Sequence, residues 1–98
     1  MKNEHFEILR KLNKDSSLSQ RELAKKLGLS LGKVNYCLIA LKEKGLIKIN
    51  NFKNKKNKSS YVYILTPKGI AEKTKITIRF MKQKMHEYDE LQKELKKK

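Results

Sequence analysis

The chain has 98 residues, 38% of them hydrophobic and 36% charged, which suffices for one small core and excludes two independently folded domains. A single cysteine excludes a disulfide framework. No apolar run approaches the roughly 18 residues of a membrane-spanning helix, and none forms a signal-peptide core. We therefore expect a cytoplasmic protein. The net charge of +15 favours a polyanionic partner, either nucleic acid or an anionic membrane surface.

Two short helices are predicted near the N-terminus. Apolar residues recur at helical spacing from Phe6 to Leu12, which indicates an amphipathic first helix that ends between residues 13 and 17. Ser19 followed by Glu22 at the third position after it is the signature of a capping box. It opens a second helix, which Gly28 ends.

A third helix and two strands come next. Ser30 is placed to cap a helix over residues 30–44, and Gly45 follows where a left-handed terminator belongs. The hydrophobic period then changes to 2, first at Ile47 and Ile49 and again over residues 61–65. This change predicts two strands on either side of a basic loop.

The last helix is predicted to begin at Thr66 and Pro67, an N-cap and first-turn pair, and no later proline interrupts the chain. The order of elements predicts an α+β fold, mainly helical: a winged helix-turn-helix domain with a two-stranded β-wing and a long C-terminal helix. We assign residues 1–65 to this domain and residues 66–98 to a dimerisation helix.

The helix-turn-helix prediction depends on the second and third helices. Two helices that cross steeply need a small contact residue, which is Ala24, and a permissive turn, which is Gly28. Five apolar residues occupy the positions that lock such a pair together: Leu23, Leu27, Leu29, Val34 and Cys37.

The third helix is predicted to enter the major groove of DNA. Its face opposite the core carries Gly32, Lys33, Asn35, Tyr36 and Ile39. Asn35 can pair with adenine, Lys33 can donate to guanine or a phosphate, and Tyr36 can contact a thymine methyl or a phosphate. Gly32 would allow a phosphate backbone to approach closely. The alternative for these side chains is simple exposure to solvent.

The loop between the strands, residues 51–60, is rich in lysine and contains no acidic residue. Its four lysines are Lys53, Lys55, Lys56 and Lys58. We expect this basic wing to follow the phosphate backbone or to cover a minor groove, and to contribute affinity that does not depend on sequence. The alternative is a solvated hairpin tip whose lysines keep an exposed edge soluble.

The last helix carries an apolar stripe with coiled-coil spacing. We name the stripe by its residues: Ile78, Met81, Met85, Tyr88, Leu91 and Leu95. Because a monomer would expose this stripe, we predict a homodimer that presents two third helices to a near-palindromic duplex site. A solvated basic helix or a helix on a membrane surface are the alternatives.

Catalytic and metal-binding patterns are absent from the sequence. His5 and His86 each lack a second ligand at metal spacing, and there is no phosphate-binding glycine loop or nucleophile elbow. Cys37 lies on the core face of the third helix, which predicts a buried, unreactive thiol. We therefore expect neither an enzyme nor a cofactor.

Residues 18–47, followed by the basic wing and by the sequence ILTPKGIAEK, resemble MarR-type winged-helix regulators. SLGKVNYCL, NFKNKKNK and LTPKGI resemble more narrowly the MarR-family group associated with exopolysaccharide gene clusters. The resemblance implies a prokaryotic transcriptional regulator, with Ser30, Lys33, Asn35 and Tyr36 in its DNA-reading helix. We expect such a protein to be associated with the nucleoid. We assign no small-molecule effector. A winged-helix adaptor for protein or RNA is the alternative.

Overall fold

The computed structural model describes residues 2–52 and 60–97. Its elements follow the predicted order: α1 (Asn3–Lys14), α2 (Gln20–Leu27), α3 (Leu31–Glu43), β1 (Ile47–Phe52), β2 (Ser60–Leu65) and α4 (Pro67–Lys96). The mainly helical fold with a two-stranded antiparallel sheet is the winged helix-turn-helix that the sequence predicts, with a long C-terminal helix appended.

Local capping signals determine where α2 and α3 begin and end. The Ser19 hydroxyl accepts from the backbone N–H of Glu22 at 3.1 Å, and the Glu22 carboxylate accepts from the backbone N–H of Ser19 at 3.2 Å. Gly28 and Gly45 adopt the left-handed conformation at φ 66° and 73°, which ordinary side chains disfavour. The Ser30 hydroxyl caps α3 by accepting from the Lys33 N–H at 3.1 Å. The predicted capping residues are confirmed.

The core lies between the first three helices and one face of the sheet. Five of its side chains have no exposed surface: Ile8, Leu9, Leu23, Val34 and Leu41. Of the five positions predicted to lock α2 and α3 together, Leu23, Val34 and Cys37 are buried. Leu27 and Leu29 are only partly buried and pack against the edge of this core.

The sheet is an antiparallel hairpin in which Ile47 pairs with Leu65 and Ile49 pairs with Tyr63. Ile47, Leu65 and Tyr63 are buried and Ile49 is partly buried, so this face of the hairpin covers the core. Tyr61 alternates with Tyr63 but is 54% exposed, because it lies farther toward the wing than the core extends.

The start of α4 is joined closely to the end of α3. The Thr66 hydroxyl donates to the backbone carbonyl of Gly45 at 2.6 Å, and the Thr66 N–H donates to the carbonyl of Leu46 at 3.1 Å. Gly69, in the first turn of α4, lies so close to Leu46 that an added Cβ would collide with the Leu46 carbonyl. The junction therefore requires glycine at this position.

Only the first half of α4 packs on the domain. Ile76 is buried, and the ring of Phe80 lies 5.2 Å from the ring of Phe6 in α1. Every described residue after Phe80 is exposed. The molecule is 65 Å long but only 26 and 21 Å in the other two directions, because the second half of α4 projects from the domain.

Candidate nucleic-acid interface

The outer face of α3 is exposed as the sequence predicts. Val34, Cys37, Leu38 and Leu41 are buried at steps of three and four residues, and the opposite face is open to solvent. On that face Tyr36 is 60% and Ile39 is 48% exposed; Gly32 and Asn35 are also exposed, and Lys33 is partly buried. A helix with apolar residues on its solvent side offers a surface suited to contact with another molecule.

The side chain of Asn35 is hydrogen-bonded to a residue of α2. The carboxamide nitrogen of Gln20, the first residue of α2, donates to Asn35 Oδ1 at 3.3 Å and to the Tyr63 hydroxyl at 3.1 Å. Tyr63 belongs to β2 and is only 4% exposed. Sequence reasoning missed this contact, because no spacing rule relates residues 15 and 43 positions apart.

The N-terminus of α3 is positively polarised and sterically open. Its first backbone N–H groups have no acceptor within the helix, although Ser30 caps that of Lys33. No atom of residues 2–52 and 60–97 outside the local backbone lies within 4 Å of the position that a Cβ on Gly32 would occupy. The ammonium of Lys33 lies 6.0 Å from the centre of the Tyr36 ring, within range of a cation–π contact. The described part of the chain leaves room for an anion at this end of the helix.

Exposed lysines lie in α3 and in the segments next to it. The exposed lysines of the neighbouring segments are Lys25, Lys26, Lys42, Lys44 and Lys48. The wing lysines Lys53, Lys55, Lys56 and Lys58 lie outside the described residues.

Two titratable groups lie beneath this surface. Burial raises the pKa of the Cys37 thiol, so the thiol stays protonated at neutral pH. His5 in α1 is 4% exposed, and neither of its ring nitrogens has a hydrogen-bond partner among the described residues. Burial lowers the pKa of His5, and Lys44 and Lys2 lower it further. The periodicity of α1 contained a signal for this burial, since His5 lies four residues before Leu9.

The apolar stripe of α4 is exposed along its whole length. The exposed fraction is 49% at Ile78, 58% at Met81, 63% at Met85, 61% at Tyr88, 59% at Leu91 and 75% at Leu95. Met81 and Met85 also border a groove between α1 and α4, next to Phe6, Arg10 and Phe80. The structure thus places all six predicted residues on one unpartnered surface of the described chain.

Residues 2–52 and 60–97 contain neither a metal-type cluster of side chains nor a membrane-spanning helix. In this part of the chain, no three His, Cys, Asp or Glu side chains are grouped so that they could hold a metal ion. None of the described helices is both long and apolar enough to cross a lipid bilayer.

A family described as winged helix-turn-helix DNA-binding matches residues 5–48. No curated protein matches the chain significantly. The fold is similar to that of the PcaV transcriptional regulator from Streptomyces coelicolor, with a TM-score of 0.71 and 17% identity over 84% of this chain and 57% of that one.

Two other solved structures are similar to the same degree. A MarR/EmrR family transcriptional regulator from Acinetobacter sp. ADP1 has a TM-score of 0.68 and 23% identity, over 90% of this chain and 60% of that one. Streptococcus pneumoniae FabT in complex with DNA has a TM-score of 0.69 and 20% identity, over 92% and 61%. The chain spans about three fifths of the length of each neighbour, and at these identities the likeness establishes the fold.

Proposed function

We propose that this protein is a transcriptional regulator that binds specific sites in double-stranded DNA through α3. The observation that carries the proposal is the exposed outer face of α3, which presents Asn35 and Tyr36 from a winged helix-turn-helix fold. A helix placed in this way can enter the major groove with its N-terminal residues against base edges.

The residues of this face have different roles in the proposal. Asn35 pairs with adenine, while Lys33 donates to guanine or to a phosphate. Tyr36 contacts a thymine methyl with its ring or a phosphate with its hydroxyl. Ser30 and Gly32 lie at the positive end of α3, where a phosphate oxygen can approach the open backbone.

We assign the basic wing, residues 51–60, to the phosphate backbone. The pairing of Phe52 with Ser60 places the ends of the wing side by side at the tip of the hairpin. Lysine is a compact point charge and a poorer minor-groove probe than arginine, which favours phosphate contacts for Lys53, Lys55, Lys56 and Lys58. Such contacts add affinity without sequence preference.

We further propose that the protein acts as a homodimer on a near-palindromic site. Support comes from the apolar stripe of α4, since exposed apolar residues in a continuous row mark an interaction surface. In this proposal residues 1–65 bind DNA and residues 66–98 pair the two subunits. A two-fold dimer presents its two third helices to two half-sites.

The regulated genes follow from resemblance alone. MarR-like motifs in the sequence and a MarR/EmrR regulator among the structural neighbours support a MarR-like role. The motifs SLGKVNYCL and LTPKGI make promoters of exopolysaccharide gene clusters the first ones to test. We assign no effector and no catalytic activity.

Selection of duplexes from a random library, followed by gel-shift competition at fixed salt, tests the proposal. We expect the selected duplex to compete far better than random duplex or single-stranded RNA. Asn35→Ala should lower the preference for the selected site by about 1–3 kcal/mol, the usual contribution of a bidentate base contact, and leave non-specific binding intact.

Asn13→Ala, the same substitution at an exposed position of α1, is the matched control and should change nothing. Equal weakening of selected and random duplexes by Asn35→Ala would show that Asn35 contacts no base. Stronger competition by RNA, or no binding to either nucleic acid, would favour the adaptor alternative.

A further inference from the structure

Three elements of the domain meet at one carboxamide. Gln20 is held at the first turn of α2 by the capping box of Ser19 and Glu22. Its nitrogen donates one hydrogen to the Tyr63 hydroxyl of β2 and the other to Asn35 Oδ1 of α3. Both hydrogens of this nitrogen are therefore used.

The two hydrogen bonds of Gln20 differ in burial. The bond to Tyr63 reaches a buried residue, and the bond to Asn35 reaches an exposed one. Tyr63 is 4% exposed, and a buried tyrosine hydroxyl requires a hydrogen-bond partner, which Gln20 provides. Gln20 is thus fixed from the interior side. Asn35 is exposed, and Gln20 is its partner on the side facing α2.

We propose that Gln20 is a positioning residue that determines base preference by fixing the orientation of the Asn35 carboxamide. This inference rests on the proposed function of α3. With Asn35 Oδ1 turned toward Gln20, the Nδ2 group of Asn35 is turned away from α2. A carboxamide oxygen accepts two hydrogen bonds, so Asn35 keeps one acceptor site and its donors for a base.

The orientation matters because adenine presents an acceptor, N7, and a donor, the N6 amino group, in a fixed order in the major groove. If the carboxamide flips, so that its oxygen and nitrogen exchange places, it presents donor and acceptor in the reverse order and no longer matches the edge of adenine. A freely rotating carboxamide can present its donor and acceptor in either order, which lowers its discrimination between bases.

Gln20→Glu is the sharpest variant, because the side chain keeps its shape but becomes an acceptor. Asn35 must then turn its Nδ2 group toward residue 20. We expect at least a tenfold loss of adenine preference at one base pair of each half-site, the same base pair that Asn35→Ala affects. Gln20→Ala should relax the preference there, and Tyr63→Phe should do so to a smaller extent.

The measurement is selection from a randomised duplex library, followed by affinities for the selected site and its single-base variants. Gln83→Glu, an identical change at an exposed position of α4, is the matched control and should leave the profile unchanged. Thermal unfolding and affinity for random duplex show whether the domain remains intact. Combined with Asn35→Ala, Gln20→Ala should add no further loss, since both act on one contact.

The outcomes separate the two proposals. A wild-type protein with no base preference overturns both the function of α3 and the role of Gln20. A discriminating wild-type protein whose profile survives Gln20→Glu, or loses preference at a different base pair, overturns only the role of Gln20. Additive losses in the double variant would do the same.

Discussion

At the residue scale, His5 shows how one side chain connects packing to pH. The imidazole occupies a core position of α1, where neither nitrogen finds a partner among the described residues. An unsatisfied polar group costs roughly 1–3 kcal/mol in such a position, and a charged one costs more. The folded protein therefore holds His5 in its neutral form.

We predict that the free energy of unfolding falls as the pH is lowered through 6.5, the ordinary pKa of histidine. Burial lowers the pKa of His5 in the folded state, so in this pH range the unfolded chain binds a proton that the folded chain does not. The stability associated with neutral His5 is therefore fully present above this pH range and is lost as the pH falls below it. Urea unfolding at pH 8.0 and 5.5 measures the difference.

The variant His5→Leu should reduce this pH dependence and gain about 1 kcal/mol at the lower pH, since it removes a buried unsatisfied group. The exposed His86 provides the matched control, because His86→Leu should keep the wild-type dependence. If the free energy of unfolding of His5→Leu depends on pH as strongly as that of the wild type, other titratable groups cause the dependence.

At the element scale, two glycines in first turns of helices have opposite environments. Gly32 in α3 faces space that no other described residue fills, whereas Gly69 in α4 lies against the backbone of Leu46. Glycine lowers helix stability by about 1 kcal/mol relative to alanine, so each glycine needs a separate reason. At Gly69 the reason is the close approach of α4 to the end of α3.

Gly69→Ala should lower the free energy of unfolding by about 1–3 kcal/mol, because the new methyl group forces α4 away from Leu46.

Gly32→Ala should raise the free energy of unfolding by about 0.5–1 kcal/mol, because alanine favours the helix. It should also weaken DNA binding, since the methyl group obstructs a phosphate there. Chemical denaturation and gel shifts measure both. Equal stability of Gly69→Ala and the wild type would contradict the close contact.

The same elements show what the sequence could and could not predict. Ser19, Gly28 and Ser30 act within one turn of their own helix, so their positions predicted the bounds of α2 and α3 closely. The contact of Gly69 with Leu46 and that of Gln20 with Asn35 join segments that only the folded chain brings together. No local pattern encodes such contacts.

At the scale of the whole molecule, α4 is electrically polarised. Residues 73–84 carry five positive and no negative side chains, whereas residues 87–94 carry four negative and one positive. Parallel pairing of two such helices would place like charges together, and antiparallel pairing places opposite charges together. The proposed dimer is therefore expected to be antiparallel.

An antiparallel pair centred between Lys84 and Met85 brings Met81 opposite Tyr88 of the partner subunit. We predict that a mixture of Met81→Cys and Tyr88→Cys proteins forms a mixed disulfide on oxidation. Cys37 is only 1% exposed and should not compete. Non-reducing electrophoresis measures the product, with each variant oxidised alone as the control. Efficient self-linking of Met81→Cys would instead indicate parallel helices.

The bonds between α4 and the end of α3 make the long helix a lever. Thr66 donates to the carbonyl of Gly45, and the Lys68 ammonium donates to that of Lys44 at 3.1 Å, so the lever arm is anchored at the base of α3. The free arm is the part of α4 beyond Phe80, about 24 Å long at 1.5 Å per residue, and a tilt of about 10° moves its far end by roughly 4 Å. Since one base pair rises about 3.4 Å, this small angle corresponds to roughly one base pair of operator spacing.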